Sequence, residues 1–122
     1  MPVYRNINSR RCGRQYARAK ATNGYRSKAE KDYAGELDLR VRAGDIQGWY
    51  YEPCNWRIGN NCYYRPDFLL VHSDGLLEFV EVKCGNIMER ARVKFAAAAE
   101  RYPMFQWTIA RRKAKTWTHE SA

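Results

Sequence analysis

Residues 66–83 constrain the fold of this chain more than any other segment. An apolar run of strand length follows Asp67, a Ser73-Asp74-Gly75 triplet with turn chemistry interrupts it, and a second apolar run follows. These pieces predict a β-hairpin. Since alternate side chains of a strand share a face and hairpin strands run antiparallel, we expect Asp67 to lie beside Glu81 and Lys83 at one end of the hairpin.

The strand that carries Glu81 and Lys83 is expected to be central in its sheet. Its large apolar residues fall on both faces, which is typical of a strand covered on both sides. Charges in such a strand need partners or a metal. The alternative is an exposed sheet face, where an acid-x-lysine pattern has no special duty. Glu78 in the same strand is expected at an edge or on the solvent side, because nothing pairs it with Asp67.

Asp67, Glu81 and Lys83 are the residue types that phosphodiester cleavage requires. Hard oxygen ligands hold Mg²⁺, which neutralises charge on the phosphate and lowers the pKa of a bound water, so two converging carboxylates are a minimum. A lysine beside them can position or deprotonate the attacking water, or stabilise negative charge in the transition state. The pattern therefore predicts a metal-dependent hydrolase site.

The net charge of +9 is concentrated at the two ends of the chain. Residues 1–28 hold eight basic residues and no acidic one, residues 29–110 hold ten basic and twelve acidic, and residues 111–122 hold four basic and one acidic. Basic ends suit arms that neutralise phosphates and release counterions, whereas solvated tails or segments that dock on a partner subunit are the alternatives. The residues expected to contact DNA are Arg10, Arg11, Arg14, Arg26, Lys94, Arg111, Arg112 and Lys113.

Length and composition indicate one globular domain. The chain has 122 residues, of which 45% are apolar and 14% aromatic. This suffices for a hydrophobic core that needs no disulfide or metal cross-links. No run reaches the length of a membrane span, and the N-terminus is too polar for a signal peptide, so the protein is expected in the cytoplasm and away from membranes. No C-x-x-C pair or zinc spacing occurs, so four cysteines are expected as free thiols: Cys12, Cys54, Cys62 and Cys84.

Helical and extended patterns alternate in the order helix, three strands, helix, strand. Ser27 opens a helical pattern whose apolar stripe continues to Val41 and stops at Gly44. A second stripe runs from Met88 to Tyr102, and a final strand follows. A strand-helix-strand unit favours parallel pairing beside the hairpin. The predicted fold class is therefore α/β, with a mixed sheet flanked by helices.

The order and spacing of four motifs resemble those of a known nuclease superfamily. The motifs are Gly24-Tyr25-Arg26-Ser27-Lys28-Ala29-Glu30, Tyr51-Glu52-Pro53, Tyr64-Arg65-Pro66-Asp67-Phe68-Leu69-Leu70 and Glu81-Val82-Lys83. An αβββαβ core with Pro-Asp on one strand and Glu-x-Lys on the next resembles the PD-(D/E)xK, or restriction-endonuclease-like, nucleases. Over residues 24–110 the chain is similar to the phage endonuclease I family of Holliday junction resolvases. The expected domains are a basic N-terminal arm (1–24), the nuclease domain (25–110) and a basic C-terminal tail (111–122).

This resemblance implies a Mg²⁺-dependent endodeoxyribonuclease that cuts branched DNA as a homodimer in the cytoplasm of a phage-infected host, with Mn²⁺ expected to substitute. It implies that Glu30, Asp67 and Glu81 are metal ligands and that Lys83 completes the catalytic set. Spacing alone gives Glu30 another role, because Ser27-x-x-Glu30 is also a capping box. A nicking or DNA-degrading phage nuclease is one alternative, and a non-catalytic DNA-binding or virion protein with a nuclease-like fold is another.

Overall fold

The computed structural model describes residues 24–85 and 89–122. Residues 1–23 of the expected basic arm, which include Arg10, Arg11, Arg14 and Cys12, lie outside this described part, as does Met88. Helices and strands of the described part follow in the order α1 (Lys28–Arg42), β1 (Ile46–Tyr51), β2 (Trp56–Gly59), β3 (Cys62–Tyr64), β4 (Phe68–His72), β5 (Leu77–Cys84), α2 (Glu89–Arg101), β6 (Gln106–Lys113) and β7 (Thr116–Ser121).

Helix α1 begins and ends where the sequence predicts. Ser27 is its N-cap, and the Ser27 hydroxyl accepts a hydrogen bond from the Glu30 N–H at 3.1 Å. Just after the helix, Gly44 has a φ of 81°, which a residue without Cβ adopts without strain. The buried stripe, which includes Tyr33 and Leu37, packs against the sheet. The cap and the amphipathic stripe together therefore define this helix.

Five strands form a mixed sheet in the order β1-β4-β5-β6-β7, and β2 and β3 form a separate hairpin. Strand β5 pairs antiparallel with β4 and parallel with β6, as the strand-helix-strand order predicts. Helix α1 covers one face of the sheet, while α2 and the β2–β3 hairpin cover the other. The predicted α/β class with a mixed sheet between helices is confirmed. The sequence predicts three strands between the helices, whereas the structure has five, since residues 56–64 pair with each other.

Strand β5 is central and is buried on both faces, as predicted. Val80 and Val82 join the core under α1, whereas Phe79 joins the aromatic cluster under α2. The expectation that Glu78 lies at an edge or on the solvent side is wrong. Glu78 is 6% exposed, and its Oε1 lies 2.7 Å from His72 Nε2. Because β5 has a strand on each edge and a layer on each face, solvent does not reach this side chain.

The C-terminal segment is part of the sheet, so the prediction of a basic tail over residues 111–122 is wrong. Strand β6 continues to Lys113, and β7 pairs antiparallel with it. Trp117 and His119 of β7 both contact Tyr33 of α1, with the Trp117 and Tyr33 ring centroids 4.8 Å apart. Trp117 and His119 alternate with other residues as the side chains of a strand do. A count of charges does not reveal this period, which is why the segment was expected to be a tail.

The described cysteines are free thiols, as predicted. Cys54 and Cys62 are half-buried, and Cys84 is exposed. Burial raises the pKa of the Cys54 thiol to about 11, so this group stays protonated at neutral pH. These cysteines therefore form no covalent cross-link with one another in the fold.

Candidate active site

A cleft of about 690 Å³ opens at one end of the β4–β5 hairpin, between the first turn of α1 and helix α2. Buried acidic side chains form its floor, and half-exposed or exposed basic side chains form its rim. The floor acids are Glu30, Asp67 and Glu81, and the basic residues are Arg26, Lys28, Arg65, Lys83, Lys94 and Arg112. An acidic floor inside a basic rim suits a ligand that combines a cation with phosphate groups.

The hairpin brings Asp67 together with Glu81 and Lys83, as predicted. The register of β4 and β5 puts Asp67 across from Glu81. Asp67 Oδ2 accepts a hydrogen bond from the backbone N–H of Val82 at 2.8 Å. The Lys83 Nζ lies 2.8 Å from Glu81 Oε2. Backbone pairing of the two strands therefore determines how the three charged groups are arranged.

Helix α1 directs Glu30 into the same site. Glu30 Oε1 accepts a hydrogen bond from the Tyr51 hydroxyl at 2.9 Å, and Oε2 accepts one from the Ser27 hydroxyl at 2.8 Å. A carboxylate oxygen of Glu30 also lies within 4.8 Å of one of Asp67. Ser27 caps the helix while the Glu30 side chain reaches Asp67, so the capping interaction and a place in the acid cluster are compatible.

Glu52 is a further acid of the site; it belongs to the Tyr51-Glu52-Pro53 motif, but the sequence assigns it no role. It directly follows β1, is 3% exposed, and has a φ of 47°, a backbone region that residues with a Cβ adopt sparsely. Glu52, Glu30 and Asp67 each offer a carboxylate oxygen, and these oxygens lie within 4.8 Å of one another. The available signal was an acid between an apolar strand and Pro53. That signal is common at strand ends and assigns no role by itself.

Burial and mutual repulsion control the protonation of the floor acids. Burial, followed by the neighbouring carboxylates of Glu81 and Glu30, raises the pKa of Asp67 well above its usual value. Burial also raises the pKa of Glu30, although the hydrogen bonds from Ser27 and Tyr51 oppose this shift. The folded protein therefore favours protonated forms of these acids, and a bound cation would favour the ionised forms instead.

Tyr64 and Lys83 hold the Glu81 carboxylate from two sides. The Tyr64 hydroxyl donates a hydrogen bond to Glu81 Oε1 at 2.5 Å, opposite the lysine contact at Oε2. Burial and the charge of Glu81 raise the pKa of Tyr64, so its hydroxyl remains a donor. Burial lowers the pKa of Lys83, but the carboxylates of Glu81, Asp67 and Glu30 outweigh this and raise it. Lys83 therefore carries its charge at neutral pH and acts as a donor in this arrangement.

Two of the basic residues expected to contact DNA, Arg26 and Lys94, line the cleft. Arg26 precedes the first turn of α1, and Lys94 lies on the cleft side of α2, across the acidic floor. Lys28 and Arg65 also line the cleft, and neither is among the residues that are expected from the sequence to contact DNA. Arg26 and Lys28 are exposed, and Arg65 and Lys94 are half-exposed, so their charges can reach phosphate groups in the cleft. DNA contact by Arg26 and Lys94 stays a prediction.

The other three expected DNA contacts in the described residues belong to β6. Arg112 lines the cleft but forms an ion pair with Asp32 of α1. Arg111 lies beside Lys83 on the neighbouring strand and faces Glu120 of β7 at 3.8 Å. Lys113 is exposed at the end of the strand. Because intramolecular acids occupy both arginines, these residues do not form the free arm that the sequence suggests.

Comparison with known proteins adds no family assignment: protein-family models, the curated proteins and the solved structures each gave no match to this chain. The fold and the site define an α/β protein whose mixed sheet carries an acidic cleft with a basic rim. Neither described helix combines the length and the apolar composition that crossing a bilayer requires.

Proposed function

We propose that this protein is a Mg²⁺-dependent endodeoxyribonuclease of the PD-(D/E)xK type, selective for branched DNA in the manner of a Holliday junction resolvase. The observation that supports this most is the convergence of Asp67, Glu81 and Lys83 at one hairpin end, with a carboxylate oxygen of Glu30 within 4.8 Å of one of Asp67. The basic rim around these groups favours a polyanionic substrate. Selectivity for branched DNA rests on the resemblance described above.

The donor set of the cleft suits a hard divalent cation. Glu30, Asp67 and Glu81 offer only oxygen ligands, which Mg²⁺ and Mn²⁺ prefer. Together with Glu52 they make four carboxyl groups, and among the described residues three cationic side chains pair with them, namely Arg26, Arg65 and Lys83. Burial is the largest cause of the raised pKa values of Glu30 and Asp67, and repulsion by neighbouring carboxylates raises them further. A divalent cation would relieve the repulsion, so the residues fit the metal.

Glu30, Asp67 and Glu81 would hold the metal, and neighbouring hydrogen-bond donors orient all three, with Ser27 and Tyr51 donating to Glu30. When bound, Mg²⁺ neutralises charge on the scissile phosphate and lowers the pKa of a bound water. The Val82 N–H orients Asp67, and the Tyr64 hydroxyl orients Glu81. Such outer contacts keep carboxylates in one conformation, which limits the reorganisation that binding requires.

Lys83 contributes a charged hydrogen-bond donor beside Glu81. Its ammonium group orients the attacking water or stabilises the negative charge that builds on the phosphate. The rim residues Arg26 and Lys94 hold backbone phosphates and provide little base readout. Hydrolysis leaves a 5′-phosphate and a 3′-hydroxyl, as the resemblance implies.

The proposal is tested by cleavage of a labelled four-way junction and its matched linear duplex, with the full chain in Mg²⁺, Mn²⁺, Ca²⁺ or EDTA. We expect Mg²⁺ and Mn²⁺ to support symmetric cuts near the branch point, with none in EDTA. Equal cutting of both substrates would favour the nicking or DNA-degrading alternative. Binding of both substrates without cutting would overturn the nuclease proposal in favour of a non-catalytic DNA-binding protein.

Tyr64→Phe is expected to weaken metal binding by about 10- to 100-fold, because it removes a contact that orients a ligand. The substitution deletes the hydroxyl that donates to Glu81 and keeps the ring in its cluster with Phe95 and Trp107. Calorimetric titration with Ca²⁺ measures the affinity without turnover. A titration of cleavage against Mg²⁺ should show that excess Mg²⁺ restores most of the rate.

Tyr102→Phe is the matched control for this substitution. It removes a hydroxyl that donates to the backbone carbonyl of Arg57 at 2.7 Å, away from the cleft. We expect its Ca²⁺ affinity to match that of the wild type. Equal weakening in both variants would show that loss of a hydrogen-bonded hydroxyl acts through general stability and not through Glu81.

A further inference from the structure

We propose that Arg26 and Arg65 form a phosphate-binding pair at the rim of the cleft, and that Glu52 positions both guanidinium groups. This inference rests on the proposed DNA-cleaving function and deepens it. It assigns residues that hold a backbone phosphate of DNA beside the scissile one. It also gives Glu52 a positioning role that differs from that of the metal ligands.

Both arginines approach the same buried carboxylate. Arg26 Nη1 lies 3.2 Å from Glu52 Oε1, and Arg65 Nη1 lies 4.0 Å from Glu52 Oε2. The Glu52 side chain is 1% exposed, whereas the Arg26 and Arg65 side chains are 42% and 27% exposed. A guanidinium group carries five N–H donors, so contact with one carboxylate on the protein side leaves others for a ligand in the cleft.

Further hydrogen bonds fix each member of the pair. The backbone N–H of Arg26 donates to the Tyr51 hydroxyl at 2.9 Å, and Arg65 Nε donates to Asn55 Oδ1 at 3.0 Å. The backbone N–H of Glu52 donates to the carbonyl of Asp67 at 2.8 Å. The positive φ of Glu52 is a conformation that surroundings must impose on a residue with a Cβ. The arginines are therefore held in place before any ligand arrives.

The competing role for Glu52 is that of a metal ligand, because one of its oxygens lies within 4.8 Å of oxygens of Glu30 and Asp67. However, Oε1 and Oε2 of Glu52 each face a guanidinium group. Two positive charges at the carboxylate repel an incoming cation and weaken this group as a ligand. Glu81 has a single lysine contact and lies across from Asp67, which makes it the better third ligand.

Phosphate is the ligand class that fits this pair. A guanidinium fork matches two phosphate oxygens, and two arginines with one carboxylate keep a net positive charge. Arg26 and Arg65 line the same cleft as Glu30, Asp67 and Glu81. A DNA strand whose scissile phosphate meets these acids would place a neighbouring phosphate at the arginines. The pair therefore positions the strand and does not read its sequence.

The test measures DNA binding without cleavage. Fluorescence anisotropy in Ca²⁺ gives the affinity of the full chain for a labelled four-way junction and for its matched duplex over a range of KCl concentrations. Arg65→Gln is expected to weaken binding by about 10-fold and to lower the slope of log affinity against log salt by about one. Arg40→Gln is the matched control, because Arg40 also pairs with a carboxylate, Asp45 at 2.6 Å, but at the far end of α1. It should bind like the wild type.

A single methylphosphonate, which is a neutral phosphate analogue, locates the contact. The methylphosphonate is placed at each position of the strand in turn. Beside the cut it should weaken DNA binding by the wild type, but it should not weaken binding by Arg65→Gln any further. Wild-type affinity in Arg65→Gln, or an equal loss in Arg40→Gln, would overturn the proposal. If the wild type binds but never cleaves, and Arg65→Gln still weakens binding, the phosphate pair is supported while the nuclease proposal fails.

Glu52→Gln separates the positioning role from the metal role. Calorimetric titration of the DNA-free protein with Ca²⁺ should show a change below about 3-fold if Glu52 positions the arginines, because metal ligands typically cost far more when lost. The methylphosphonate position that does not affect DNA binding by Arg65→Gln should also not affect DNA binding by Glu52→Gln. A loss of Ca²⁺ affinity as large as that of Asp67→Asn would make Glu52 a metal ligand and overturn this part of the proposal.

Discussion

Lys83→Ala is expected to lower the rate of Mg²⁺-dependent DNA cleavage by at least about 10²- to 10³-fold, the cost of removing one donor that stabilises developing charge. Lys83 lies 2.8 Å from Glu81 and is held charged by the surrounding carboxylates. Its ammonium group is therefore placed where the attacking water or the phosphate oxygens need a donor. Single-turnover cleavage of the labelled junction at saturating Mg²⁺ measures the effect, and anisotropy in Ca²⁺ should show binding within a few-fold of wild type.

Lys31→Ala is the control for this loss of a lysine. Lys31 is an exposed residue of α1 that lines a different surface depression and not the cleft. We expect its cleavage rate to stay close to that of the wild type. A melting curve of Lys83→Ala in Mg²⁺ establishes that the variant is folded, since Glu81 keeps its hydrogen bond from Tyr64. Cleavage by folded Lys83→Ala at the wild-type rate would remove the lysine from the mechanism.

Asp67→Asn is expected to abolish cleavage and at the same time to stabilise the metal-free protein at neutral pH. Asp67 is one of the three proposed metal ligands and has a carboxylate oxygen within 4.8 Å of one of Glu30. Its loss should cost at least about 10³-fold in rate, equivalent to several kcal/mol of charge stabilisation. Burial and the neighbouring carboxylates make its ionised form unfavourable. Asparagine retains an oxygen acceptor for the Val82 N–H and has no charge to bury.

The pH dependence follows from the direction of the shift. The pKa of Asp67 is higher in the folded protein than in the unfolded chain, so its contribution to stability is full below the unfolded pKa and is lost as pH rises through the folded pKa. In EDTA, the wild type should therefore lose stability from mildly acidic to alkaline pH more steeply than Asp67→Asn. Each kcal/mol regained should raise the melting temperature by roughly 4 °C in a domain of this size.

Calorimetric melting at acidic and alkaline pH, with EDTA or Mg²⁺, measures both effects. Mg²⁺ should raise the melting temperature of the wild type, because it binds the folded state, and should have little effect on Asp67→Asn. Asp74→Asn is the control, since Asp74 lies in the exposed β4–β5 turn and caps the Leu76 N–H at 3.0 Å. If metal-free Asp67→Asn melts like the wild type at alkaline pH, ionised Asp67 does not destabilise the fold, and the interpretation is wrong.

Local patterns explain which parts of the site were predictable. Turn residues between two apolar runs specify the β4–β5 hairpin, and its antiparallel register brings Asp67 to Glu81 without help from the rest of the chain. A serine cap and an apolar stripe likewise specify α1, so the position of Glu30 in its first turn could be predicted. The resemblance then selected Glu30 from two roles that spacing left open. The proximity of the Glu30 and Asp67 carboxylate oxygens, within 4.8 Å, is consistent with that choice.

Glu52 and Glu78 show what local patterns do not reveal. Each is an acid whose partners cannot be identified from its own segment, yet Glu52 is only 3% exposed and Glu78 6%. Glu52 is buried because Arg26 and Arg65, which are distant in sequence, close over it. Glu78 is buried because β5 is central in the sheet and α1 packs above it. Burial of a polar side chain depends on packing across the fold, which one segment does not encode.

The sequence by itself determined the α/β class, the limits of α1 and the acid-lysine group at one hairpin end, because strand period, helix capping and turn chemistry act over a few residues. Only the tertiary structure decided which basic side chains face the acids. Residues 111–122, basic enough for a free arm, form the sheet edge, where Arg112 pairs with Asp32. Arg65 faces the cleft because Glu52 and Asn55 hold it there. The number of charged residues is a property of composition, whereas the surface that each charged side chain faces depends on packing between distant segments.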